Sequence, residues 1–586
     1  MLDISPRQVT WSRSWDFMFA TAGWSIGLGN MWRFPYLCYQ YGGGAFLIPY
    51  IFFALFFALP CLVLEASLGQ MIGKNLFDMW RSTVPILSGI AFAGMTMNFF
   101  NKMSYSTLLV WIIKYFVASF SNTLPWMSCN NTWNDENCLD FAIQNKSELF
   151  SIKQLNGTRG ESAAEQYWKL EVLKISSGLN EFGGMSLDLV LFNVLLWLLV
   201  YLSTLRGIKF STKISYITAS LPAILIVVMV IRGLTLDGGM TGVRYYLKID
   251  ISKLADFEVW VKAASQIAYS IGIGFGIVPS LRSHNKSKDN FYRDCILVVV
   301  FNMLSSFACG LAVFSSLGFV AQKLNTTIDA FQTSGPGLVF LAYPQSLSLL
   351  PLSQLWCALL FLMLFFLGFD SQFIAYEILV SFLSDFFPSL RSFRYGKRIF
   401  NTAFCVLICL LSWIFLPKGG AYMFEIFNQH AGAAWNVFLI CGCELVAVAW
   451  FYGAKKHCQQ IRRMLTGSSR AEVVIIFLWK FFSPCCCFAL CVYYIVKHKP
   501  LKYGNYVYPP WAQAFAHVLS LSSFVWIPGY AIYLLLTSKK TKAELFGRKR
   551  LCSNDDDGDK RTEVEKAQME LQCTKLVEDS VVENNE

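Results

Sequence analysis

Gly23-Trp24-Ser25-Ile26-Gly27-Leu28-Gly29-Asn30 and Ser270-Ile271-Gly272-Ile273-Gly274-Phe275-Gly276 decide how this chain folds. Each stretch puts glycines and polar groups at the centre of an apolar segment. In hydrocarbon an unsatisfied backbone group costs several kcal/mol, so unwound backbone is tolerated only where it lines a cavity or holds an ion. One glycine cluster alone reads as a helix-packing surface. Two clusters five spans apart read as matching interruptions in a five-helix unit repeated with inverted topology. That pattern places a binding site at the bilayer midplane.

The rest of the chain supplies the membrane. Of its 586 residues, 55% are hydrophobic and only 15% charged. Such a composition excludes a soluble multidomain enzyme, a disordered scaffold and a secreted disulfide mini-domain. Runs of ~20 apolar residues mark helical spans. About twelve are legible: 14–38, 44–69, 86–119, 187–205, 212–232, 258–282, 291–320, 352–383, 399–416, 422–452, 471–496 and 512–537. The expected fold is an all-α membrane protein with a five-plus-five inverted repeat, discontinuous helices 1 and 6, and spans 11 and 12 as additions. Residues 1–13 are expected to form a cytoplasmic N-terminus, 14–537 the twelve-helix domain with its loop 120–186, and 538–586 a cytoplasmic tail.

Basic residues set the orientation. Arg206, Lys209 and Lys213 follow span 4; Arg282, Lys286, Lys288 and Arg293 follow span 6. Arg391, Arg394, Lys397 and Arg398 follow span 8, and Lys455, Lys456, Arg462, Arg463 and Arg470 follow span 10. These exits read as cytoplasmic. Lys497, Lys499 and Lys502 violate the rule after span 11. The N-terminus is polar up to Asp16 and the first apolar run contains Arg33, so no cleavable signal is expected and both termini lie on one side. The net charge of +11 is topology charge in short loops, not a nucleic-acid footprint.

The loop 120–186 is then extracellular, with glycosylation sequons at Asn130, Asn145 and Asn156; Asn325 carries another in the outside loop after span 7. A sequon at Asn285 falls on the cytoplasmic side and is a chance match. Of 18 cysteines, most lie in spans as small apolar packers, Cys485, Cys486 and Cys487 among them. Cys129 and Cys138 share the oxidising loop and are the expected disulfide. Arg33, Glu65, Lys102, Asp370, Glu377 and Glu444 lie within apolar runs. Such groups face a polar pathway or a partner charge, or snorkel to the interface.

Residues 27–36 (Gly-Leu-Gly-Asn-Met-Trp-Arg-Phe-Pro-Tyr) and 42–50 (Gly-Gly-Gly-Ala-Phe-Leu-Ile-Pro-Tyr) resemble the signature of the sodium- and chloride-dependent neurotransmitter and amino-acid symporters, the solute carrier 6 family. The resemblance continues through Gln266-Ile267, Gly274-Phe275-Gly276, Asn302 to Phe307, and residues 367–373. It ends at residues 450–453 and 506–509, covering about 11–540.

The resemblance implies sodium-driven uptake by alternating access. One sodium would be held by the Ser25 carbonyl, Asn30, Ser270 and Asn302. A second would be held by the carbonyls of Gly23, Ile26 and Leu367 with the side chains of Asp370 and Ser371. These are hard oxygens of the kind a small cation needs. Chloride would sit near Tyr50, Gln266, Ser270, Asn302 and Ser306. Chloride-independent relatives carry a carboxylate at the Ser306 position, so chloride dependence is expected.

Gly27 bears most on the substrate. In the monoamine branch an aspartate stands there and pairs with the substrate amine. A glycine leaves room for a carboxylate beside the first sodium and an unwound helix end. Tyr105 matches the family tyrosine that hydrogen-bonds this carboxylate. The expected substrate is an amino acid or close relative such as glycine, proline, GABA, taurine or betaine. Tyr269 and Phe275 would cap and wall the pocket; Trp24, Asn101, Gly272 and Ala375 would line its side-chain end.

Several positions depart from the family. Trp24 replaces a usual tyrosine, and Lys102 a small or neutral residue, three before Tyr105 and near the same helix face. If Lys102 points inward it suits a second carboxylate or a sulfonate on the substrate; otherwise it faces other helices or pairs with an acid. Arg33 is the outer-gate arginine, but its usual acidic partner falls at Asn428 or Gln429, with Glu425 the nearest acid. Trp11 and Asp385 match inner-gate positions, whereas Gln8 stands where an arginine is expected and His284 where a tyrosine is. Three readings follow: a symporter at the plasma membrane of an amino acid or of a GABA-, taurine- or betaine-type solute; a transport-poor family member acting as a membrane partner; or a membrane enzyme. The chain has 5 His and no HExxH, GxSxG or Walker motif, so the last is weakest. Its expected partners are a small solute, sodium, chloride and the lipid bilayer.

Overall fold

Polar residues break the apolar segments at the two glycine clusters, and the computed structural model shows where. It describes residues 10–11, 15–139, 161–286, 288–323, 327–328, 337–387, 395–432, 434–465, 472–497, 499–504, 506–538 and 541–547. The sequons at Asn145, Asn156 and Asn325, and nearly all of both termini, lie outside these residues.

Among the described residues, 8 helices are long and apolar enough to cross a membrane. A ninth candidate, in place of the straight span 512–537, is a pair bent by 47° between Pro510–Phe524 and Trp526–Thr537. The helices that build the centre are α1 (Trp15–Ser25), α2 (Phe34–Gln40), α3 (Gly44–Ile72), α4 (Gly89–Ala118), α5 (Leu187–Thr204) and α6 (Ile208–Leu234). They continue with α7 (Phe257–Ile271), α8 (Ile277–Arg282), α9 (Phe291–Lys323) and α10 (Ser353–Ser384). Segment 422–452 is interrupted too: it runs as Gly420–His430, then Ala434–Val446, then a wide turn Ala447–Gly453.

α1 packs on α6, α9 and α10, α4 on α10, and α3 on both α7 and α8. α4 is buried along nearly its whole length and carries the buried polar residues Asn98, Asn101, Lys102 and Lys114. It runs through protein, not lipid. Around it, buried Trp80, Trp126, Trp197, Tyr115 and Phe361 close the core.

The glycines do what their positions demand. α1 stops at Ser25 and helical winding resumes at Gly29–Arg33. α7 stops at Ile271, and Gly272, Gly274 and Gly276 take φ of +75°, +79° and +73° before α8 begins. Only glycine enters that region without strain. The freed amide of Gly274 is not left bare: it donates to Glu65 Oε1 at 2.8 Å. Glu65, on α3, is thus the structural partner of the second break. Glu65→Ala leaves the buried Gly274 N–H without an acceptor, at about 1–3 kcal/mol. A fall in the melting temperature of the purified protein, with partial rescue by Glu65→Gln, is the expected result. Unchanged stability of Glu65→Ala would remove Glu65 from that role.

The loop 120–186 has structure of its own. Cys138–Leu139 pairs in parallel with Glu161–Ser162, and Cys129 and Cys138 form a disulfide. Asn130 is exposed. In the cysteine run 485–487, only Cys487 is buried; Cys485 faces outward. Among the described residues no group of three or more His, Cys, Asp or Glu is placed to hold a metal ion.

Candidate functional site

The two breaks face each other across the centre of the fold. Between them lies a cavity of about 420 Å³ lined by Trp24, Ser25, Gly27, Leu28, Gly29, Asn30, Asn101, Lys102, Tyr105, Tyr269, Ser270, Phe275 and Ser371. Gly272 and Ala375, expected at the side-chain end, do not line it. A Cβ on Gly272 would run into the indole of Trp24, so Gly272 sits behind that ring. Ala375 is buried one layer out, its carbonyl accepting from Asn98 Nδ2 at 3.1 Å.

One oxygen cluster gathers at the first break. Ser270 Oγ donates to Asn30 Oδ1 at 2.8 Å and reaches Asn302 Oδ1 at 3.1 Å. Asn302 Nδ2 donates to the Ser25 carbonyl at 2.8 Å. Three helices and the broken strand of backbone therefore meet in one hydrogen-bonded knot. Ser305, one turn of α9 on from Asn302, accepts from Asn30 Nδ2 at 2.9 Å. Sequence reading passed over it, since nothing distinguishes one serine in that run from its neighbours.

A second cluster lies against α10. Ser371 Oγ donates to the carbonyls of Gly23 and Trp24 at 3.0 and 3.1 Å. Asp370 Oδ1 accepts from Ser215 Oγ on α6 at 2.9 Å, while its Oδ2 is buried without a partner. A Cβ on Gly23 would overlap that carboxylate, so glycine is required for the backbone to approach it. The Leu367 carbonyl lies 4.0 Å from a Cβ built on Gly27, tying α10 to the same break. A buried carboxylate oxygen with no donor is satisfied by a bound cation or by a proton. The surrounding set is all oxygen, which suits sodium and not a thiophilic metal. Ser215 is a contributor that sequence reading missed; its hydroxyl is one of many along α6.

Beside the first cluster, Tyr50 OH lies 3.3 Å from Ser306 Oγ and 3.4 Å from Asn302 Oδ1. Gln266 Nε2 donates to the Gly29 carbonyl at 3.2 Å. Hydroxyl and amide donors in a dry setting are what a buried anion requires.

Gly27 opens the middle of the cavity. A Cβ there would stand 3.1 Å from Ser371 Oγ and 3.7 Å from Tyr105 OH. With no side chain at Gly27, the Tyr105 hydroxyl faces bare backbone. Tyr269 separates this cavity from an outer one of about 240 Å³ lined by Arg33, Ser265, Ala268, Gly432, Val437 and Phe438. Its hydroxyl accepts from Asn101 Nδ2 at 3.2 Å, and its ring carries the Arg33 guanidinium 5.1 Å above the centroid. Among the described residues Arg33 has no carboxylate partner; Glu425 accepts instead from Gln429 at 2.6 Å. On the inner side, Trp11 donates from its indole to the Leu281 carbonyl at 3.3 Å and packs on His284. Asp385 caps the C-terminal end of α10.

A profile of the sodium:neurotransmitter symporter family matches residues 8–538. The creatine transporter of Torpedo marmorata is 37% identical over 529 residues, covering 90% of this chain and 85% of that protein. The sodium- and chloride-dependent GABA transporter 2 of Rattus norvegicus is 37% identical over 547 residues, 93% of this chain and 90% of its own. The human sodium- and chloride-dependent creatine transporter 1 is also 37% identical over 547 residues, with 93% and 86% covered.

Proposed function

Because this chain belongs to the sodium:neurotransmitter symporter family, we propose that the cavity between its broken helices is where it binds the solute it carries. The protein is a transporter, not an enzyme: a sodium- and chloride-coupled symporter of amino-acid-like solutes in a membrane, as its creatine- and GABA-transporting relatives are named. Its finer architecture in this reading is twelve spans, the first ten an inverted five-plus-five repeat, with both termini cytoplasmic at the plasma membrane.

The observation that carries the site assignment is the partnerless Oδ2 of Asp370 beside the Gly23 backbone. In this reading one sodium is held by Gly23, Ile26 and Leu367 carbonyls with Asp370 and Ser371. The other is held by the Ser25 carbonyl with Asn30, Ser270 and Asn302, and chloride lies between Tyr50, Gln266, Ser270, Asn302 and Ser306. The solute's carboxylate rests at Gly27, against Tyr105. Sodium then acts as co-substrate: its charge balances both the Asp370 carboxylate and that of the solute, so solute and ion bind each other's sites best together. The linkage is reciprocal. Tyr269 with Arg33 closes the outer side, and Trp11 the inner. In a transporter of this kind the two gates open alternately about the fixed site.

Among the described residues no carboxylate pairs with Arg33, and this favours a second reading, a family member that binds its solute but turns over slowly. Uptake of an amino-acid panel into oocytes, with sodium replaced by choline or chloride by gluconate, separates the two. Symport requires uptake that disappears with sodium and falls with chloride. Solute binding without uptake would favour the second reading. Ser306→Glu places a fixed negative charge among the anion donors, and uptake by this variant is expected to become chloride-independent. Retained chloride dependence in a folded Ser306→Glu protein would take Ser306 out of the chloride site.

A further inference from the structure

The central cavity holds a lysine that no acid among its lining residues meets. Lys102 leaves α4 one turn before Tyr105 and is 4% exposed. Its Nζ stands 4.8 Å from the centroid of the Trp24 ring and 4.3 Å from that of Tyr105, so the side chain turns into the cavity. Its helix turn is clamped from α10: Gln372 Nε2 donates to the Lys102 carbonyl at 3.0 Å. Among the described residues the ammonium makes no hydrogen bond and no ion pair, and no residue lining the cavity is a carboxylate. The acids nearest in sequence on α10 hydrogen-bond to α6, Asp370 through Oδ1 alone to Ser215 and Glu377 to Ser211, and among the described residues neither forms an ion pair with Lys102.

Stacked rings meet a buried ammonium only in part. A cation–π contact is several-fold weaker than the cost of taking the ion from water. Three N–H donors remain without an acceptor. The Trp24 ring forms the wall beside Lys102, with its Nε1 edge set against Gly272.

We propose that Lys102, held over the rings of Trp24 and Tyr105, forms a second anion subsite, and that the solute is a short amino acid bearing a second acidic group. The proposal rests on the symporter reading above, which places the first carboxylate at Gly27. The second acid group, a carboxylate or a sulfonate, accepts hydrogen bonds from the Lys102 ammonium at the far end of the same cavity. Charge-assisted bonds of this kind are the strong ones. The same lysine selects against other solutes. Creatine and GABA, named for the relatives, carry a guanidinium or an ammonium away from their carboxylate. In a cavity of this size that cation would face Lys102, and like charges exclude it.

The test uses the purified full-length protein and its melting temperature. Probes are L-aspartate, L-glutamate and L-cysteate against glycine, GABA and creatine, each in sodium chloride and in choline chloride. The acidic probes are expected to stabilise the protein in sodium, and Lys102→Met to weaken them about tenfold or more while Lys102→Arg keeps them. Lys102→Met removes a buried charge without removing bulk, so it is expected to fold; its monodispersity verifies this. No stabilisation by any acidic probe overturns the proposal, as does a Lys102→Met effect equal on acidic and neutral probes. If glycine, GABA or creatine then stabilise in sodium, the symporter reading stands and only the substrate class falls. If acidic probes bind equally in choline, the subsite stands and sodium coupling falls.

Discussion

Asp370→Asn is expected to abolish sodium-driven uptake while leaving the protein folded. Among the described residues Asp370 is the one full negative charge in the oxygen cluster against α10, and its Oδ2 has no hydrogen-bond donor. An asparagine keeps the shape and the Ser215 hydrogen bond but presents no charge to a cation. Removing one partner of a buried charge pair costs about 3 kcal/mol or more. That is roughly a hundredfold in sodium affinity. Folding moves the other way, since a buried carboxylate without its ion opposes it; Asp370→Asn should melt no lower than wild type in sodium-free buffer. The decisive measurement is the sodium dependence of both uptake and melting temperature. A variant whose half-saturating sodium stays within about threefold of wild type would end the assignment of Asp370 as an ion ligand.

Gly27→Asp is the second large effect. A Cβ at this position lies in tight contact, 3.1 Å from Ser371 Oγ and 3.7 Å from Tyr105 OH, so the new carboxylate has nowhere to go but the cavity. There it occupies the place proposed for the solute carboxylate and repels it. Like charges set against each other in a dry site cost several kcal/mol. Uptake of carboxylate-bearing solutes is expected to fall by roughly a hundredfold or more. Gly27→Ala, with the bulk of a methyl group and no charge, should cost much less. Equal losses in the two variants would mean that the position is only crowded and that no carboxylate binds there.

The sequence exposed the two breaks because physics leaves little choice there. Glycines such as Gly272 and Gly274 inside a span cost helix stability, and polar groups beside them cost more, unless the backbone is used. Residues 27–36 added the family, and with it Asn30, Ser270, Asn302, Asp370 and Ser371, which the fold brings into two oxygen clusters. Other features were not readable along the chain. Glu65 was visible as a buried acid, but its partner, the Gly274 amide, is 209 residues away. Ser215 and Ser305 were two among many serines. Gly272 looked like a pocket residue, yet the large Trp24 ring moved in front of it. Glu425 was the nearest acid to the gate in sequence, and it turns to Gln429.

Composition, glycine placement and the spacing of apolar runs were thus enough to determine a membrane-embedded helical protein with two interrupted helices and a cavity between them. These depend on local costs, the burial of peptide groups in hydrocarbon and the strain of left-handed backbone, which each segment carries on its own. Where a side chain points across the cavity depends on neighbours hundreds of residues distant. Only the folded chain decided that Lys102 turns inward between Trp24 and Tyr105 with no acid to meet it, and that Arg33 lies on Tyr269. Both follow from packing against helices whose register no single segment encodes.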